Sequence, residues 1–136
     1  MLEFRIEANI DKLRRDRRDE SEQMPGSVVV QLRDGRVEIL PVQVRTRGRF
    51  RLDPNACWFP PVRPNFRTRD LAGTTFHGQD KLKLVTHCQQ RREFEQNVIE
   101  EYLVYRLYNL RTYISFKVRL VRVTYVDING GDDDVT

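Results

Sequence analysis

The chain has 136 residues, enough for one domain with a core of its own. It is 39% hydrophobic and 32% charged, with a net charge of +4, and every basic residue except Lys12, Lys81, Lys83 and Lys117 is an arginine. No run of about 18 apolar residues occurs, which excludes a membrane-spanning helix, and two cysteines permit a single intramolecular pairing.

Met1 leads straight into Leu2 to Ile10, where Phe4, Ile6, Ala8 and Ile10 alternate with Glu3, Arg5, Glu7 and Asn9, the period of a half-buried strand. No signal peptide precedes it, so the expectation is either a cytosolic protein or a chain lacking its true N-terminus. Lys12 to Glu22 is nearly all charge and is expected to be a solvated loop or short helix. Met24-Pro25-Gly26 reads as a turn. Ser27 to Leu32 and Val37 to Arg47 form a hairpin around Asp34-Gly35, whose type I′ geometry needs positive φ at both central residues. Pro41 favours an edge or a bulge for the return strand.

From Gly48 the pattern breaks into an ordered loop through Cys57-Trp58-Phe59-Pro60-Pro61, followed by a short strand at Val62 to Phe66. Gly73 and Gly78 bracket a further turn region. Lys81 to Cys88 is predicted as a strand, with Leu82, Leu84 and Thr86 on one face. A helix from about Arg91 to Leu110 carries Phe94, Val98, Tyr102, Tyr105 and Leu103, Leu107, Leu110 at spacings of three and four, and Ile99, Val104 and Tyr108 widen the stripe. Such a helix is expected to be covered on more than one side. Ser115 to Asp127 is predicted as a long strand with a bulge near Leu120-Val121, because the facing parity changes there. A turn at Asp127 to Gly131 and an acidic tail follow. The fold class is therefore α+β: an antiparallel-rich sheet with one main packed helix.

Arg45, Arg47, Arg49 and Arg51 alternate, so an extended strand would project all four from one face, with Arg63, Arg67 and Arg69 beyond. Two readings compete: an anion site, and a charged edge strand protected from aggregation. No P-loop pattern is present. Cys57, His77, His87 and Cys88 supply zinc-ligand chemistry without a standard spacing, so no metal is assigned; a Cys–His nucleophile lacks an orienting partner. Cys57 and Cys88 are either a disulfide, closing a loop of about 30 residues, or two buried thiols. Asp127 to Asp134 fails the calcium-loop pattern. Tyr102, Tyr105 and Tyr108 have the spacing of a buried helix face, which disfavours base stacking and nucleic-acid binding.

Taken in order, Arg45-Thr-Arg-Gly48, the Pro60-Pro61 strand, Lys81-Leu-Lys-Leu-Val-Thr-His-Cys88, the helix segment Glu100-Glu-Tyr-Leu-Val-Tyr-Arg-Leu-Tyr-Asn109 and Val118 to Asp127 resemble the N-terminal half of the CotH-like family of atypical kinases. The resemblance spans roughly residues 37 to 129. It implies a unit like the small lobe of a kinase, here residues 1–136 as a single domain and an N-terminal portion of a larger protein. In such lobes an Arg-Gly turn lies near the nucleotide phosphates, which places Arg47 and Gly48 there, beside Arg45 and Arg63. Arg-Gly-Arg-Phe stands where the family has Arg-Gly and a small polar residue, and the metal-binding aspartates belong to the family's second half. The resemblance thus implies ATP and Mg for a full-length parent, a missing C-terminal lobe as partner, and a chain that is inactive by itself. The parent would be periplasmic or extracellular. The alternative is a non-catalytic cell-envelope or interaction domain.

Overall fold

Apolar alternation gives the chain its strands, and the computed structural model, which describes residues 1–18 and 21–130, joins them in one sheet. The strands β1 (Leu2–Ala8), β2 (Met24–Gln31), β3 (Val37–Thr46), β4 (Val62–Phe66) and β5 (Val121–Asp127) lie in the order β4-β3-β2-β1-β5. β1, β2, β3 and β4 pair antiparallel in succession, whereas β5 runs parallel to β1, from Leu2 opposite Val121 to Ala8 opposite Asp127. The helices are α1 (Ile10–Arg15) and α2 (Arg92–Arg111). The architecture is α+β, a mostly antiparallel sheet with one main helix.

One face of the sheet is the core. Phe4, Ile6 and Ala8 of β1 meet Val28 and Val30 of β2, Leu40, Val42 and Val44 of β3, Val62 and Phe66 of β4, and Tyr125 of β5. Removing these side chains from water at roughly 25 cal/mol per Å² is the main force holding the strands together. The face is closed by loops more than by helix. Phe76, from the turn region after β4, sets its ring edge-on to Phe4 at 5.4 Å and stacks on Phe66 at 5.1 Å. Leu71, Phe59 and Leu84 complete the cover, with Ile10 and Leu13 of α1.

The charged segment is more ordered than its composition suggests. α1 begins at an Asn9 cap whose side chain accepts from the Lys12 amide, and Leu13 is only 1% exposed. Two apolar residues one turn apart suffice to anchor a six-residue helix. Beyond it, Ser21 and Thr46 are both buried and hydrogen-bonded to each other at 2.9 Å, and Arg18 holds the Asp16 carboxyl down at about 2. Residues 19 and 20 lie outside the described part.

Several sequence expectations need correction. Met24-Pro25-Gly26 is strand, not turn: Pro25 pairs with Gln43 beyond the end of the β1 ladder at Ser27, so it stands where β2 is bonded on one side. A Cβ on Gly26 would come within 2.8 Å of the Glu7 carbonyl, so this close crossing needs glycine. The hairpin is where Asp34-Gly35 places it, but only Gly35 has positive φ, at 86°. The Gly35 amide donates to the Leu32 carbonyl and the Leu32 amide to the Arg36 carbonyl, a three-residue loop ending in a left-handed glycine. Pro41 is in a central strand, just outside the β4 ladder that begins at Val42 opposite Phe66.

Lys81 to Cys88 is not the strand expected: only Lys81 makes a bridge, to Asn65, although residues 80–84 run beside β4, the Phe66 amide donating to the Asp80 carbonyl, Leu82 to Pro64 and Leu84 to Val62, and Leu82 and Leu84 turn inward as expected. Nor is 115–120 strand, and no bulge is needed at Leu120-Val121. The parity changes there because the ladder with β1 starts at Val121. The turn after β5 is present through Gly130; residues 131–136, with most of the acidic tail, lie outside the described part.

The largest departure concerns α2. None of its residues is buried, and none belongs to the core. Phe94, Val98, Tyr102, Tyr105 and Asn109 form a half-buried stripe, while Ile99, Leu103, Val104, Leu107, Tyr108 and Leu110 are exposed. The helix is covered on one side only. A local consequence can be tested at Tyr125, which is 3% exposed with its ring 4.5 Å from Phe59. Its hydroxyl has no partner among the described residues, and burial pushes its pKa well above 10. Tyr125→Phe is expected to stabilise the fold by ~1 kcal/mol, since it removes an unsatisfied buried group. A measured loss of stability by denaturant unfolding would show instead that the hydroxyl is paired.

Candidate anion site

The strand period decides which arginines meet. Val42, Val44 and Thr46 of β3 point into the core, so Arg45, one residue out of phase, projects from the opposite face. In β4 the same logic places Arg63 between buried Val62 and Pro64. The antiparallel register then sets Arg45 directly opposite Arg63. Like charges facing across two strands repel, so this pair is destabilising.

Arg47 follows at the end of β3, its backbone N–H held by the Pro61 carbonyl at 2.9 Å. Gly48 has φ of 98°, a left-handed conformation that bends the chain out of the strand. The single turn Phe50–Leu52 then brings Arg51 back towards Arg47. Burial first, and then the nearby Arg51 and Arg63 guanidiniums, draw the Arg47 pKa below its ordinary value, with Glu101 and Tyr105 of α2 opposing. Glu101 reaches Arg51 at 3.7 Å. The half-buried stripe of α2 therefore lies beside Arg47 and Arg51, not in the core. Among the described residues the side chains of Arg45, Arg47 and Arg63 make no ion pair or hydrogen bond.

The extended projection expected for Arg45, Arg47, Arg49 and Arg51 is therefore corrected. Arg45 and Arg47 share a face with Arg63, and Arg51 joins them through the turn. Arg49 instead lines a shallow depression with Arg17, Leu52, Asp53 and Pro54. Arg67 and Arg69 lie exposed beyond β4, Arg69 paired with Asp70 at 3.7 Å. Sequence reasoning missed Glu101. Its signal was a carboxylate on the same helix stripe as Val98 and Tyr105, a position that calls for a basic partner.

Arg17 was missed as well. Its guanidinium donates to the carbonyls of Cys57 at 2.9 Å, Trp58 at 2.8 Å and Leu52 at 3.4 Å, and its Nε to Arg14 at 2.7 Å. Cys57 and Cys88 are joined by a disulfide across 31 positions, and the Trp58 amide bonds the Cys88 carbonyl at 2.8 Å. Both sulfurs are therefore committed to each other rather than to a metal or a nucleophile. Among the described residues no three His, Cys, Asp or Glu side chains group as metal ligands, and no helix is long and apolar enough to cross a membrane. Compared with protein-family models, with curated proteins and with solved structures, the chain finds no match.

Proposed function

We propose that the chain is a phosphate-binding, non-catalytic unit, the small-lobe portion of a kinase-related protein of the CotH-like kind. The observation that carries this reading is Arg45 opposite Arg63 with Arg47 alongside, three guanidiniums with no ion pair among the described residues and only Glu101 near enough to act on Arg47. Arginine forks match the geometry of phosphate oxygens, and a bound anion would relieve their mutual repulsion. Gly48 would let a phosphate approach the backbone closely. The transferring chemistry, with ATP and Mg, would belong to a C-terminal lobe supplied by the parent. The Cys57–Cys88 disulfide favours an oxidising compartment, periplasmic or extracellular, for that parent.

Calorimetric titration with ATP, pyrophosphate and inorganic phosphate tests the site. ATP and pyrophosphate are expected to bind, with affinity falling as salt rises. Arg63→Gln is expected to weaken both by roughly tenfold. Absence of binding to the unmodified chain, or equal binding by Arg63→Gln, would overturn the reading. A second reading, an interaction domain, is favoured by a separate observation: the apolar face of α2 that nothing in the described residues covers.

A further inference from the structure

From the uncovered face of α2 we infer that the protein pairs with a second copy of itself, α2 against α2, antiparallel about a two-fold axis. Ile99 is 42% exposed, Leu103 53%, Leu107 64% and Leu110 83%. At 3.6 residues per turn these four fall within a sector of about 80° on the helix surface. The exposed apolar surface continues past the helix end in Tyr113, at 97%, and Ile114, at 93%. From Ile99 to Leu110 the seam spans about 16 Å and has the spacing of a helix–helix contact.

Charge identifies the occupant. The exposed acidic residues Glu93 and Glu95 stand in the first turn, and the exposed basic residues Arg106 and Arg111 in the last two. Glu93 and Arg111 lie about five whole turns apart, so they share one flank of the apolar sector. Glu95 and Arg106 lie about three turns apart and share the other flank. In an antiparallel two-fold pair each flank faces the same flank of the partner, run in reverse. Glu93 then meets Arg111 of the second copy, and Glu95 meets its Arg106, while Ile99 packs against Leu103 around the axis. A parallel pair would set glutamate against glutamate. None of these four side chains has an ion-pair partner among the described residues, so each is available across the contact. In this register Leu107 and Leu110 face the first turns of the second copy, where Arg92 and Gln96 occupy the same sector, so the apolar match centres on Ile99 and Leu103 and the flanking charges set the direction.

Sedimentation equilibrium of the whole chain tests this, with helix content followed by circular dichroism. The unmodified protein is expected to dimerise reversibly. Leu103→Glu, at an exposed position, is expected to raise the dissociation constant by tenfold or more with helix content unchanged, roughly the cost of one buried unpaired charge. The sharper test uses two charge-reversed chains, one carrying Glu93→Arg with Glu95→Arg and the other Arg106→Glu with Arg111→Glu. Each alone is expected to be monomeric, and an equimolar mixture to form a heterodimer. A monomeric unmodified chain, a dimer indifferent to Leu103→Glu, or no heterodimer from two folded charge-reversed chains would each overturn the inference. A dimer lost on altering the open edge of β5 but kept in Leu103→Glu would assign self-association to the sheet and overturn it too.

Discussion

Replacing Cys57 and Cys88 together by alanine is expected to lower the unfolding free energy by ~3–4 kcal/mol, the chain-entropy value for a closed loop of this length. The loss should be visible as a lower denaturant midpoint with an unchanged cooperative transition. The bond joins a loop with little regular structure, residues 53–61, to the segment just before α2. That loop supplies buried Phe59 to the core and Pro60-Pro61 to the entry of β4. Free of the bond, it must be held by Arg17, by the Trp58–Cys88 backbone contact, by the Thr86, Gln89 and Arg47 hydrogen bonds to Phe59, Ala56 and Pro61, and by the packing of Phe59. A loss below ~1 kcal/mol would mean that these suffice and that the crosslink constrains little of the unfolded chain.

Arg17→Met is expected to cost roughly 2–4 kcal/mol, because it strips charged donors from the carbonyls of Leu52, Cys57 and Trp58 while keeping the length of the side chain. Arg17→Lys should recover only part of this, since a single ammonium cannot replace a planar fork that reaches several acceptors. The two effects should not add. Arg17 bonds the carbonyl of the very cysteine whose sulfur is crosslinked, so both changes loosen one loop. A double-mutant cycle by urea unfolding reads that coupling directly. Strict additivity would show that the guanidinium and the disulfide secure different segments.

The strands were legible because each carries its own period. β4 matches its expected ends at Val62 and Phe66, and α2 is displaced by a single residue at each end. The turn at Gly35 was legible from a residue with no Cβ, although the turn type was not, because Asp34 keeps negative φ and uses its carboxylate to bind the Arg36 amide at 3.0 Å. What periodicity cannot carry is partner choice. Nothing in Val121–Asp127 announces that its neighbour is Leu2–Ala8. Nor does the broad apolar stripe of α2 say which arc will be half-buried; that arc carries Glu101, beside Arg51.

The candidate site was legible in part for the same reason. Alternation placed Arg45 and Arg47 on one face, but the meeting with Arg63 depends on register, and the return of Arg51 depends on the bend at Gly48. Arg17 was invisible: a side chain that bonds distant carbonyls leaves no repeat in the sequence. Composition alone marked its neighbourhood as solvated, and Leu13, nearly sealed from water, contradicts that.

The lateral bond between β1 and β5 has a consequence for biogenesis. β1 is made well over a hundred residues before its second neighbour is complete, with Glu3 reaching Arg122 across 119 positions at 3.0 Å. Antiparallel β1 to β4 can assemble during synthesis, yet one rim of β1 must wait, unzipped, until β5 has been made. Contacts this distant slow folding and lengthen the window in which a nascent chain is vulnerable to mispairing.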